Sequence, residues 1–90
     1  MGKKTQSEVL IKIRNSFFDP PVVRVKKGTR VDWINEDLIE HEIDSNQLAL
    51  FQSGLLHNKE IFSFIFYSKG KYFYHCGIHS LAEQGKVIVR

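Results

Sequence analysis

Tyr72-Phe73-Tyr74-His75-Cys76-Gly77-Ile78-His79-Ser80-Leu81-Ala82-Glu83-Gln84-Gly85-Lys86-Val87-Ile88-Val89 is the stretch on which the reading of this chain turns. Tyr72, Tyr74 and Cys76 fall on one parity, and so do Val87 and Val89. Successive side chains of a strand point to opposite faces, so this period of two marks a half-buried strand on each side of a short loop. The first strand delivers Cys76 at its end, Gly77 opens a tight turn, and His79 follows three residues after the cysteine. A thiol and an imidazole are thereby set close together on a loop anchored at both ends.

The same period runs outward through most of the chain. Val9, Ile11 and Ile13 alternate with Leu10, Lys12 and Arg14; Val23 and Val25 flank Arg24; Val31 and Trp33 flank Asp32. Phe62, Phe64 and Phe66 share a face that reads as core. Turn-forming residues separate the runs at Asp19-Pro20-Pro21, Lys27-Gly28-Thr29, Asn35-Glu36-Asp37, Ser53-Gly54, His57-Asn58-Lys59 and Ser68-Lys69-Gly70-Lys71. Short strands with closely spaced turns predict an all-β sandwich or barrel rather than a parallel α/β sheet. Between Asp44 and Ser53 the alternation lapses, and residues 47–51 read as one helical turn or an irregular loop.

Ninety residues leave no room for a second core, so residues 1–90 read as one domain, with 1–7 a flexible or non-native N-terminal tail. A chain that is 42% hydrophobic and 26% charged is globular rather than disordered. Seven Phe, three Tyr and one Trp suit a small sandwich, because each buries a large apolar area from one core position. No apolar run is long enough to span a bilayer. Met1-Gly2-Lys3-Lys4 lacks the apolar stretch of a signal peptide, which leaves a removed leader or anchor open. A single cysteine excludes an internal disulfide, and a lone thiol is ordinarily a small buried hydrophobe unless its neighbours make a site.

Here the neighbours do make one. His41 lies at the start of a strand-like stretch, just past the turn that follows Val31 and Trp33, and is well placed as a third donor beside Cys76 and His79. One soft thiolate and two imidazoles in a trigonal plane is the donor set that selects copper for electron transfer. A site held between the preferences of Cu(I) and Cu(II) rearranges little when an electron moves.

The order of these features resembles the cupredoxin family. Phe18-Asp19-Pro20 and Val25-Lys26-Lys27-Gly28-Thr29 resemble its entry into the first sheet, and Val31-Asp32-Trp33-Ile34-Asn35-Glu36-Asp37 with His41 resembles its first-ligand region. Ser53-Gly54, Phe62-Ser63-Phe64 and Gly70-Lys71-Tyr72-Phe73-Tyr74-His75-Cys76 resemble the strands leading to its cysteine, and Cys76-Gly77-Ile78-His79, then Gly85-Lys86-Val87-Ile88-Val89, its ligand loop and last strand. The resemblance implies a Greek-key β-sandwich and a type 1 copper protein that carries one electron at a time. It implies a redox partner docking near the exposed ligand histidine, a monomer, and a periplasmic or otherwise extracytoplasmic setting.

The chain departs from the family at the weak axial ligand. The family usually places a methionine three to five residues after the loop histidine, where this chain has Ala82, Glu83 and Gln84, and its one methionine is Met1. Glu83 shares the inward parity of Val87 and Val89, Gln84 falls on the other parity, and Ala82 has no donor atom. Three outcomes stay open: Glu83 coordinates, water or nothing occupies the position, or Gln84 binds through its amide oxygen. A vacant position would open an alternative function, a mononuclear copper site reacting with nitric oxide or nitrite. Glu42, where relatives often carry a small polar residue tying the ligand loops together, is a second departure.

Competing readings are weaker. His75 alternates away from Cys76 and His57 sits in a polar turn, so neither is expected to be a ligand. A tetrahedral zinc site could use the same donors with Glu83, but structural zinc favours several cysteines. Phe62, Phe64 and Phe66 share one face without interleaved basic residues, as a buried face would, which speaks against a nucleic-acid surface. No orienting Asn or Asp and no oxyanion hole stands at a spacing recognisable as that of a Cys–His hydrolase. The net charge of +3 is mild but unevenly spread: five of the ten acids, Glu36, Asp37, Glu40, Glu42 and Asp44, lie within nine residues, preceded by the basic Arg24, Lys26, Lys27 and Arg30. With Leu38, Ile39, Ile78, Leu81 and Ala82 as an apolar collar, the acidic run predicts a partner with a basic docking face.

Overall fold

The computed structural model describes residues 7–47, 49–79 and 84–90. Among the described residues nine strands make up the regular structure: β1 (Glu8–Arg14), β2 (Phe17–Asp19), β3 (Val22–Val25), β4 (Thr29–Asn35), β5 (His41–Ser45), β6 (Gln52–Leu56), β7 (Ile61–Phe66), β8 (Gly70–Cys76) and β9 (Gln84–Val89). They form a four-stranded sheet in the order β2-β1-β4-β7 and a five-stranded sheet in the order β3-β9-β8-β5-β6. β1 runs parallel to β4 and β3 parallel to β9, while the other pairs are antiparallel. The all-β sandwich expected from the alternation is the fold observed, with no helix among the described residues.

The inward parity of each strand fills the space between the sheets. Ile11 and Ile13 of β1, Val31 and Trp33 of β4, Ile43 of β5, Tyr74 and Cys76 of β8 and Val87 of β9 are all buried. Phe66 is fully buried, and Phe62 and Phe64 pack against the core from the same face of β7. Trp33 stands at the centre, its ring centroid 5.2 Å from Tyr74 and 5.7 Å from both Phe51 and Phe62. Tyr74 is hemmed on another side by Phe18, edge-on at 4.7 Å. Aromatic pairs in this geometry contribute beyond their area, which suits a core with few positions.

Two local features fall outside simple alternation. Ser53 and Gly54 lie inside β6 rather than in a turn. The β5–β6 register slips between Glu42 and Asp44, Gly54 takes φ +72°, and Ser53 Oγ accepts the Ile43 N–H at 2.8 Å. This is a bulge, and a bulge uses the glycine and serine that otherwise signal a turn. Within residues 47–51, Leu50 N–H reaches Gln47 O at 3.3 Å, a turn that drops Phe51 into the core.

β1 and β2 are joined by Asn15 and Ser16, at φ 51° and 63°. A two-residue turn with both residues left-handed matches the twist of the strands it joins. On the other sheet, Gly85 of β9 pairs with Tyr74 of β8, and a Cβ at that glycine would overlap the Tyr74 ring. The strand that follows the loop after Cys76 is thus seated on the strand that enters that loop.

Candidate metal centre

β8 ends on Cys76 and β5 begins on His41, and the two strands are antiparallel neighbours with Ile43 opposite Cys76. Both side chains share the inward parity of that sheet and are buried, His41 at 0% and Cys76 at 1% exposure. His79, three residues past Cys76, is exposed on the connecting loop. Cys76 Sγ lies 3.3 Å from His79 Nδ1 and 3.9 Å from His41 Nδ1, and the two imidazole rings stand 4.9 Å apart at 80°. One donor atom from each of the three residues lies within 4.8 Å of the others.

These separations fit a shared ion. With metal–nitrogen bonds near 2.1 Å and a metal–sulfur bond near 2.3 Å, ligands about 120° apart are separated by about 3.8 Å. The two sulfur–nitrogen distances straddle that value. Cys76 and His79 share one loop, and the sheet brings in His41, the third donor expected from the sequence, from 35 residues away.

The strands that carry His41 and Cys76 are tied together by main chain. Glu42 N–H points at Cys76 Sγ at 3.4 Å, and Gly77 N–H donates to Glu42 O at 3.1 Å. The tie that the Glu42 side chain was not expected to make is made by its backbone, leaving the carboxylate to accept from Gln52 Nε2 at 3.0 Å. An N–H aimed at sulfur stabilises the thiolate and is a lever on the potential of any metal bound to it. Asp44, next along β5, has its carboxyl pushed up by burial and then by the charge of Glu42.

Behind His41, Asp37 Oδ2 sits 2.8 Å from His41 Nε2. Burial would raise the Asp37 carboxyl, but the N–H groups of Ser16 and Asn15 and the His41 ring outweigh it and hold it below its ordinary value. Sequence reading placed Asp37 only in a turn and in an acidic run. Its position four residues before His41, after Asn35, was the available signal.

The other sequence candidates lie as follows. His75 is on the outer face of β8, its Nδ1 2.6 Å from Asn46 Oδ1. His57 is exposed and faces Glu40 at 3.0 Å. Gln84 opens β9 opposite His75 and is exposed. Leu81, Ala82 and Glu83, and with them two of the three axial outcomes, lie outside the described residues.

The surface is polarised along the strands. The loop 36–40 and the turn after Cys76 leave the end where β4 and β8 finish, and there Leu38, Ile39 and Ile78 are exposed, Leu38 at 89%. The opposite end gathers Lys26, Lys27 and Arg90, with Lys27 N–H on Arg90 O at 3.2 Å, and next to them Lys69 and Lys71 where β8 begins.

Comparison with known proteins places this arrangement in company. The family described as "Cupredoxin-like domain" matches residues 2–89. The protein named amicyanin from Paracoccus denitrificans is 28% identical over 85 residues, which cover 90% of this chain and 64% of the relative, just under two thirds of its length. A solved structure titled as a novel purple cupredoxin from Nitrosopumilus maritimus superposes with a TM-score of 0.85 at 29% identity, over 91% of this chain and 99% of that one. A reduced Cu(I) form of an amicyanin mutant superposes with a TM-score of 0.84 at 27% identity, over 91% of this chain and 81% of that one.

Proposed function

The chain belongs to the cupredoxin-like family, and on that premise we propose that it holds one copper ion through Cys76, His41 and His79 and serves as a one-electron carrier. The observation that carries this reading is the convergence of one thiol and one nitrogen from each of two imidazoles within 4.8 Å, two of the three residues fully buried. A His₂Cys set in a trigonal arrangement suits copper better than zinc, which takes four firm donors.

When bound, copper supplies the couple between Cu(II) and Cu(I). The residues of the chain do the rest. Cys76 gives the dominant thiolate donor, held by the Glu42 N–H. His41 is fixed inside the sandwich, and the sheet hydrogen bonds around it resist the rearrangement that the two oxidation states would otherwise demand. His79 brings one edge of the site to the surface.

The apolar side chains Leu38, Ile39 and Ile78 at that end suit a transient contact that releases after transfer. Glu36, Glu40, Glu42 and Asp44 around it favour a redox partner with a basic face. An extracytoplasmic setting goes with this reading, as the family resemblance implies.

The test is a visible and EPR spectrum of the copper-titrated protein before and after Cys76→Ser. The expected outcome is one copper per chain, a strong thiolate-to-Cu(II) absorption that bleaches on reduction and returns on oxidation, and loss of that band in the variant. No stoichiometric uptake, or a colourless Cu(II) form, overturns the reading.

A further inference from the structure

His41 does not face the metal site alone. Its Nδ1 is turned toward Cys76, and its Nε2 lies 2.8 Å from Asp37 Oδ2. The Asp37 carboxylate is itself immobilised. Oδ1 accepts the Asn15 N–H at 2.7 Å and Oδ2 accepts the Ser16 N–H at 2.9 Å, both from the left-handed turn between β1 and β2. Its main chain is held as firmly: Asp37 N–H donates to Asn35 Oδ1 at 2.8 Å, and Asn58 Nδ2 donates to Asp37 O at 3.0 Å. Asn35, fully buried, closes the other side of the loop by donating Nδ2 to Ile39 O at 2.9 Å and Leu56 O at 2.8 Å.

A carboxylate that receives two backbone N–H groups is an acceptor only, so the hydrogen between it and the imidazole must sit on His41 Nε2. In the Nε2–H tautomer the lone pair lies on Nδ1, the atom turned toward Cys76. A carboxylate behind a ligand histidine also makes that histidine a stronger donor and fixes its orientation. We propose that Asp37 is a positioning residue of the metal centre, selecting the His41 tautomer and strengthening His41 as a donor to the oxidised ion. The inference rests on the ligand set proposed above, and it assigns the hairpin turn of the four-stranded sheet a part in a site whose ligands all come from the other sheet and its loop.

The test has two arms. In the unaltered, metal-free protein, long-range ¹H–¹⁵N spectra of the histidines are expected to show His41 as the Nε2–H tautomer with a slowly exchanging proton. In Asp37→Asn, the ring is expected to lose that single-tautomer pattern, and Cu(II) affinity to fall by about 10–100-fold, as for other outer partners of ligand histidines. Cu(I), a softer ion less dependent on a charged donor, is expected to lose less. Each tenfold differential raises the midpoint potential by about 59 mV for a one-electron couple. Asp37→Glu is expected to recover part of the shift, which a purely structural role would not produce.

The assignment is overturned if His41 carries its proton on Nδ1 in the unaltered protein, or if Asp37→Asn folds and leaves the potential unchanged. Failure of the unaltered protein to bind copper would instead sink the ligand reading, and the metal-free tautomer would still decide the role of Asp37.

Discussion

Gly85→Ala puts the packing behind the ligand loop to a direct test. An added Cβ would lie 2.7 Å from Tyr74 Cε2 and closer still to Cζ and Oη, where ordinary contact begins at 3.4 Å. The ring must therefore retreat by at least the difference, or β9 must shift against β8. Retreat is blocked on two sides, by Phe18 at 4.7 Å and Trp33 at 5.2 Å. Overpacking of this kind costs about 1–3 kcal/mol. For a domain of this size each kcal/mol lowers the melting temperature by about 4–8 °C, so a drop on the order of 10 °C is expected in thermal unfolding of the metal-free protein. Tyr74→Leu alone is expected to destabilise by loss of aromatic packing. In the double variant the new methyl group occupies space the ring has vacated, so the cost should fall short of the sum of the two singles by about 1 kcal/mol or more. Additive single and double variants, or a Gly85→Ala protein melting with the parent, would refute the claim that the ring fills the space above Gly85.

Three further outcomes follow from the site and its surroundings. Two copies meeting metal end to metal end bring their acidic runs together, so electron self-exchange measured by NMR line broadening should accelerate as salt shortens the screening length from about 30 Å to about 8 Å; a rate indifferent to salt would remove the electrostatic argument. Asp44 has a carboxyl raised by burial and by Glu42, so the folded state holds that proton more tightly than the unfolded chain does. Its charged form opposes folding as pH rises above the ordinary aspartate value, and Asp44→Asn should raise the melting temperature at pH 7 and flatten its decline across that window; a lower melting temperature at pH 7 contradicts this. His79 is exposed and His41 fully buried, so free imidazole should restore the absorption of copper-loaded His79→Gly but not of His41→Gly; equal rescue of both would show that burial does not separate the two ligands.

What the sequence disclosed was local or periodic. Cys76 and His79 were legible because they share one loop, and the strands around them because inward residues recur every second position. His41 was legible because it begins a strand after a recognisable turn. As a turn signal Ser53-Gly54 misled, while its likeness to a family strand held, because a glycine at positive φ serves a bulge as well as a turn and only the pairing partner tells the two apart. Phe51 enters the core from an irregular segment and leaves no periodic trace. The short β2 was missed for the same reason, although Phe18 within it packs on Tyr74. Asp37 escaped because its partners Asn15 and Ser16 are 22 and 21 residues away, and the Glu42 tie escaped because main-chain hydrogen bonding carries no side-chain signature.

The uneven placement of charge gives the molecule a built-in compass. On an electrode coated with amines, the carboxylates around the metal end should land first and bring His79 against the coating. On one coated with carboxylates, Lys26, Lys27 and Arg90 should land first and lift the site away by the length of a strand, about 23 Å for seven-residue β4 at about 3.3 Å per residue. Tunnelling fades steeply over such a gap, so direct voltammetry should give a reversible wave on the first surface and almost none on the second, from the same adsorbed amount.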